Sequence, residues 1–170
     1  SSDRKKDGLY LELPIFQNHT SPALERVTQL GWLLKGKELG LSRNLAKDFA
    51  LDVDRILYNA QTLSGGNQQK VAVGKWMSIQ PKVVLIDEPT RGVDVGARAE
   101  IYERLREMAD AGVAVVFAST DLQEVTYLPD RIVTFYRGQM IETLDGKGVD
   151  TNNLLRLITH PYGEREEALT

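Results

Sequence analysis

A serine and two glycines, Ser64, Gly65 and Gly66, come directly before a stretch that predicts a helix over residues 67–80. Glycines let backbone amides approach a phosphate, and a helix N-terminus adds free N–H groups and the positive end of a dipole. The Ser64 hydroxyl is a further donor. The pattern therefore predicts an anion site, with a plain helix cap and a flexible lead-in as the alternative.

Two adjacent carboxylates, Asp87 and Glu88, follow the apolar run of residues 83–86. Such a run suits a strand that is buried on both faces of a parallel sheet. Ligands of open α/β sheets bind at the carboxyl edge, where these side chains would lie. Asp87 could hold Mg²⁺, and Glu88 could orient or deprotonate an attacking water. The alternative is a strand that simply ends at polar residues.

The elements around the acidic pair predict a parallel sheet. Strands at residues 83–86 and 113–118 are separated by a charged amphipathic helix at residues 96–110, which is the order of a strand–helix–strand crossover. A short helix, two hairpin strands and a last helix are predicted after it, at residues 121–127, 131–136, 139–143 and 150–160.

Helices and loops are predicted before Gln61. Residues 9–15 are expected to form a short strand or an extended loop, and helices are expected at residues 21–34, 41–51 and 52–58. The chain is thereby divided into a helical part over residues 1–60, an α/β core over residues 61–160 and a tail over residues 161–170.

Composition excludes several classes of protein. The 170 residues contain no cysteine, which excludes disulfides and thiolate metal sites. A formal net charge of −3 argues against a broad basic face for nucleic acid. No apolar run approaches the ~20 residues of a membrane span, and no signal peptide is recognised. We expect a soluble intracellular protein, or a piece of one, with His19 and His160 at surface or capping positions.

Taken together, the motifs resemble those of the ATP-binding cassette (ABC) ATPases. Residues 63–70 resemble the signature motif, residues 83–88 the Walker B strand and residues 91–94 the D-loop. The sequence LSGGNQQK, together with DEPTRGVDVGA, is typical of one class of protein. That class is the second nucleotide-binding half of tandem ATPases in bacterial importers of ribose, galactose, xylose and nucleosides. Residues 3–9 also resemble that half, just past its Q-loop.

The resemblance implies an α/β fold of the ABC-type P-loop NTPase, with a parallel-sheet core and a helical subdomain. It implies ATP and Mg²⁺ as ligands, and two halves that pair head to tail. Four signature residues would then act on ATP held by the partner half: Ser64, Gly65, Gly66 and Gln68. Asp94 would orient across the dimer, and otherwise it caps the helix that follows.

The implied partners are the second nucleotide-binding half, transmembrane permease subunits and, indirectly, a periplasmic solute-binding protein, with no nucleic acid. The implied location is the cytoplasmic face of the cell membrane, as a peripheral subunit. Two alternatives keep the chain in the same family: an importer of nucleosides or another small solute, or an ABC ATPase that has no role in transport. A third is an interaction module that no longer hydrolyses ATP.

One expected motif, the phosphate-binding Walker A loop, has only a poor match in residues 31–37. We reject this match because Glu38 stands where a serine or threonine should bind Mg²⁺, and because Trp32 is bulky for such a loop. We interpret the segment as a helix end. The true loop is expected upstream of Ser1, so the chain is expected to be a fragment that is inactive by itself.

A second departure is Thr120, which stands at the switch position where most ABC ATPases have histidine. Threonine can donate a hydrogen bond to a phosphate but cannot take up a proton near neutral pH. Second halves of tandem importers often lack this histidine. We therefore expect the main catalytic role of the chain to be the supply of its signature motif to the partner half.

Overall fold

The computed structural model describes residues 8–161. The resemblance at residues 3–9 and the predicted tail fall mostly outside this range. The α-helices are α1 (Ile15–Thr20), α2 (Leu24–Val27), α3 (Lys35–Asp48), α4 (Gly65–Met77), α5 (Val95–Asp110), α6 (Leu122–Tyr127) and α7 (Thr151–Thr159). The strands are β1 (Thr28–Gln29), β2 (Trp32–Leu33), β3 (Val83–Asp87), β4 (Ala114–Ala118), β5 (Arg131–Tyr136) and β6 (Gln139–Asp145). The chain forms two compact units, with the boundary between Ala118 and Ser119.

In the first unit, α1 packs against α3 and α4. Asn18 on α1 holds the preceding loop: its Oδ1 accepts from the Tyr10 N–H at 2.8 Å, and its Nδ2 donates to the Tyr10 carbonyl at 2.9 Å. A strand or an extended loop is predicted for residues 9–15. The structure instead shows a turn that the Asn18 side chain holds, followed by the start of α1.

The helix predicted over residues 21–34 is wrong. A 3₁₀ turn (Ser21–Ala23) and the short α2 lead into a hairpin of β1 and β2. Leu30 and Gly31 form the hairpin turn with φ values of 51° and 82°, a left-handed conformation that a helix cannot include. The next helix, α3, begins at Lys35, six residues before the predicted start, and a 3₁₀ helix (Val53–Leu57) occupies the predicted third helix.

The central pair of strands is parallel, as predicted. β3 and β4 pair from Val83 opposite Ala114 to Asp87 opposite Ala118, and α5 connects them and packs against β4. The expectation of burial on both faces is wrong for the described residues. Val84 is buried, but Leu85 is 77% exposed, because no described element covers the face on which it lies.

The second unit contains α6, an antiparallel hairpin of β5 and β6, and α7. Arg137 and Gly138 form the hairpin turn in left-handed conformations, at the predicted position. α7 packs against β5 through the buried Leu154 and Leu157. Over the described part of the chain, no helix has both the length and the apolar character needed to cross a membrane.

Candidate functional site

Ser64 is the N-cap of α4. Its backbone is extended, and its Oγ accepts the Asn67 N–H at 3.4 Å. Gly65 begins the helix and is half-buried, whereas Ser64 is exposed. The exposed hydroxyl and the first turn of a 13-residue helix lie together, which is the arrangement that can bind a phosphate. The structure also shows the capping role that the sequence left as the alternative.

Asp94 is the N-cap of α5, with its Oδ1 accepting the Ala97 N–H at 3.0 Å. The capping alternative for Asp94 is therefore confirmed. The start of α5 lies against the start of α4: a Cβ placed on Gly66 would lie 2.7 Å from the Ala97 Cβ and 3.8 Å from the Asp94 Oδ2. The structure thus brings the signature-like turn and the D-loop-like turn together within the first unit.

Gln68 is buried and turned toward the loop before α4. Its Nε2 donates to the carbonyls of Ala60, at 3.4 Å, and Leu63, at 3.2 Å. Its Oε1 is buried and has no hydrogen-bond partner among the described residues. Gln68 therefore holds the turn that precedes Ser64, and a direct contact with nucleotide stays a prediction.

The acidic pair lies at the carboxyl end of β3, as the sequence predicted. Asp87 ends the strand with an exposed side chain, and Glu88 is half-exposed. The Glu88 N–H donates to the Ala118 carbonyl of β4 at 2.8 Å, and Glu88 has a φ of 51°. A left-handed non-glycine residue costs about 1–3 kcal/mol and is concentrated at functional sites, so the position fits a functional carboxylate.

Thr120 lies in the second unit, two residues after the end of β4, and its side chain is exposed. The neighbouring Ser119 Oγ accepts the Asp121 N–H at 3.0 Å, and Asp121 caps α6. Thr120 is thus placed in a turn that leads into a helix. Its role at the switch position stays a prediction.

The donor set fits Mg²⁺ that is shared with a phosphate. Mg²⁺ is commonly held by one or two carboxylates together with phosphate oxygens and water, rather than by an all-protein cage. Asp87 offers one exposed carboxylate at the carboxyl edge of β3. Within residues 8–161, no cluster of three or more His, Cys, Asp or Glu side chains could hold a metal ion by itself.

Sequence reasoning missed Lys70, which is 5% exposed and joins two elements of the site. Its ammonium forms an ion pair with Glu100 on α5 and donates to the Ala50 carbonyl at 3.4 Å. Only the tertiary contact reveals this pair, because the two residues lie 30 positions apart in the sequence. The pair fixes α4 against α5, and so supports the contact between Gly66 and Ala97.

His19 was also missed, since it is fully buried on α1 instead of exposed. Its Nδ1 lies 2.9 Å from the Ser42 Oγ, and its Nε2 has no partner among the described residues. Burial lowers the pKa of His19 from 6.5 to about 4, because the charged ring would lose its hydration, and the hydrogen bond with Ser42 offsets this only in part.

Comparisons with known proteins show which family the sequence is similar to. A family model described as ABC transporter matches residues 11–91. The ribose import ATP-binding protein RbsA of Roseobacter denitrificans is 38% identical over 154 residues, which are 91% of this chain and 30% of that protein. Ribose import ATP-binding protein RbsA 2 of Escherichia coli O157:H7 is 37% identical over 170 residues, which are 100% of this chain and 34% of that protein.

The chain belongs to the ABC transporter family. It spans about one third of the length of these ribose import proteins. As an ABC family member it also has the expected fold. A nucleotide-free ATP-binding cassette from an ABC transporter superposes with a TM-score of 0.74 and 20% identity, over 89% of this chain and 63% of that chain. A dimeric cassette with ADP and phosphate gives 0.70 and 22%, over 83% and 60%.

Proposed function

We propose that the chain is part of the ATP-hydrolysing, energy-coupling subunit of a bacterial importer for ribose or a similar sugar. The observation that carries this proposal is the 37–38% identity to the two ribose import ATP-binding proteins described above, which extends over 91–100% of the chain. The capped, adjacent helix starts at Ser64 and Asp94 are the geometry that such a role uses.

We infer that the full protein places ATP between two halves, with Mg²⁺. When bound, Mg²⁺ would neutralise charge on the phosphates while the terminal phosphoryl group is transferred to water and ADP leaves. Asp87 would hold this ion, and Glu88 would orient the attacking water and accept its proton. Thr120 would donate a hydrogen bond to a phosphate without taking up a proton.

The signature residues have a different proposed role, toward ATP held by the partner half. The Ser64 hydroxyl would donate a hydrogen bond to a phosphate. The backbone N–H groups of Gly65 and Gly66, at the start of α4, would also donate hydrogen bonds to it. Gln68 would keep this turn in place through its bonds to Ala60 and Leu63. Asp94 would act at the same interface while it caps α5.

The exposed face of β3 supports the proposal that the chain functions within a longer ATPase. Parallel strands are almost always covered on both faces, yet Leu85 is 77% exposed and Val116 is 55% exposed. A further part of the ATPase that carries the phosphate-binding loop would cover this face.

We propose the division into a helical part, an α/β core and a tail at residues 1–60, 61–160 and 161–170.

The proposed partners are a second nucleotide-binding half, a transmembrane permease and, indirectly, a periplasmic solute-binding protein, with no nucleic acid. This places the protein at the cytoplasmic face of the membrane. Co-purification of the full-length ATPase with a permease, together with ribose uptake that depends on both, tests the assignment. An ATPase that supports no solute uptake would contradict the transport role.

The division of labour between the two sites is tested in the full-length transporter. We expect Ser64→Arg to abolish ATPase activity, because a bulky cation would block the signature turn. We expect Glu88→Gln to leave substantial activity, because the site built on this half lacks the switch histidine. Activity that survives Ser64→Arg but is lost in Glu88→Gln would overturn this assignment.

A further inference from the structure

The hairpin of β1 and β2 presents an apolar tip that the fold does not use. This tip consists of Leu30, Trp32 and Leu33, which are 93%, 77% and 54% exposed. The base of the hairpin is fixed, since the Leu34 N–H donates to the carbonyl of the buried Val27 at 2.8 Å. Three large apolar side chains are therefore held away from the core on a firmly attached hairpin.

The turn conformation strengthens this observation. Leu30 has a φ of 51°, a left-handed conformation that asparagine and glycine adopt far more readily than leucine. A leucine at this position adds backbone strain without burying its side chain among the described residues. No contact among the described residues compensates for this strain. The strain therefore indicates that the side chain binds something outside the chain.

The charge beside the tip indicates what that partner is. Lys35 and Lys37 follow directly and are exposed, and within residues 8–161 neither forms an ion pair. Both lie in the first turn of α3, where lysines oppose the helix dipole and so do not stabilise the helix. This cationic segment stands out in a chain whose formal net charge is −3.

We propose that this hairpin contacts an anionic lipid surface, with the apolar tip in the headgroup region and the two lysines on lipid phosphates. Tryptophan and leucine are suited to the bilayer interface, and lysines beside them are attracted by anionic lipids. The contact surface is a protruding hairpin tip, and a lipid surface accepts such a shape without a matching pocket. With only three apolar side chains, binding is weak and reversible.

Vesicle binding followed by tryptophan fluorescence tests the proposal. In the Trp76→Phe variant, Trp32 is the only tryptophan, so its emission reports on the tip. We expect a blue shift with vesicles of phosphatidylcholine and phosphatidylglycerol in equal parts, and none with phosphatidylcholine alone. Raising the salt to ~1 M, where the Debye length is about 3 Å, should reverse the shift.

Variants separate binding from folding. Leu30→Asn suits the left-handed turn and should leave stability unchanged or higher, while vesicle binding falls roughly 10-fold. The paired change Lys35→Gln with Lys37→Gln should remove the preference for anionic vesicles. Met140→Ser, which removes a side chain that is 63% exposed elsewhere, is the matched control and should bind normally.

Two results would overturn the proposal. The first is unchanged emission with both vesicle compositions, which would leave a protein as the partner of the hairpin. The second is equal vesicle binding by Leu30→Asn and Met140→Ser. Because the assay contains no nucleotide, neither result bears on the proposed ATPase role.

Discussion

Gly66 on α4 and Ala97 on α5 approach so closely that position 66 has no room for a larger side chain. A Cβ carbon added at position 66 would lie 2.7 Å from the Ala97 Cβ, a distance that real Cβ atoms do not show. The contact joins the helix capped by Ser64 to the helix capped by Asp94. The turns capped by Ser64 and Asp94 can therefore lie this close together because residue 66 has no side-chain methyl group.

Replacing Gly66 with alanine should force the two helices apart. We expect the free energy of unfolding to fall by about 1–3 kcal/mol, the typical result of overpacking, as measured by urea denaturation. Gly40→Ala is the matched control, because a Cβ there meets nothing within 4 Å and alanine favours a helix interior by roughly 0.5–1 kcal/mol.

A second-site change checks that the Gly66→Ala effect comes from this contact. Adding Ala97→Gly to Gly66→Ala removes the opposing methyl group and should recover part of the lost stability. A double variant no more stable than Gly66→Ala alone would show that the contact with Ala97 is not the cause.

The ion pair between Lys70 and Glu100 should respond unequally to loss of its two members. Glu100→Ala leaves the buried Lys70 ammonium without its counter-charge. We expect the free energy of unfolding to fall by about 2 kcal/mol. Lys70→Met should be milder, because it replaces the buried charge with an apolar chain of similar length. Thermal or urea unfolding of the single variants measures both effects.

An exposed ion pair on the same helix is the control for this comparison. Glu107 pairs with Arg104 and is 51% exposed, so Glu107→Ala should change the free energy of unfolding by less than about 1 kcal/mol. If Lys70→Met proves more damaging than Glu100→Ala, the stranded charge is not the dominant cost.

Stability should fall with acidity because of His19. Its pKa is about 4 in the folded chain and 6.5 in the unfolded chain, so below pH 6.5 the unfolded state binds a proton that the folded state does not. The contribution of His19 is complete above pH 6.5 and is lost as the pH falls toward 4. That loss amounts to about 3 kcal/mol at 1.36 kcal/mol per pKa unit.

Urea unfolding at several pH values between 7 and 4 measures this slope. His19→Asn should flatten the slope whatever its effect on stability at neutral pH, because asparagine does not titrate. His160→Asn is the control and should leave the slope as it is. A slope that survives His19→Asn would assign the acid sensitivity to carboxylates instead.

The chain by itself should bind Mg²⁺-ATP poorly. Its only partial match to a phosphate loop begins at Gly31 in a hairpin turn and runs into the first turn of α3, so it cannot cradle a phosphate. We expect a Kd weaker than about 1 μM, that is, less than about 8 kcal/mol of binding free energy, by isothermal titration calorimetry. A submicromolar Kd for these 170 residues would contradict the proposal that the phosphate loop lies elsewhere.

Local patterns were predictable where the deciding residues are close in sequence. The parallel strands, the crossover helix and the hairpin turn at Arg137 and Gly138 follow from periodicity and turn chemistry. A helix is expected over residues 21–34 because their apolar spacing suits one. That prediction is wrong because the left-handed turn at Leu30 and Gly31 interrupts the segment. A single glycine was a weaker signal than four apolar residues at helical spacing.

By itself, the sequence determined the caps and the motifs, since Ser64 and Asp94 act on amides only three residues away. Only the tertiary structure decided which distant residues meet. The contacts of Gly66 with Ala97, of Lys70 with Glu100 and of His19 with Ser42 join residues that are 23 to 31 positions apart. Their partners are chosen by how the helices pack, and helix packing depends on the whole core at once.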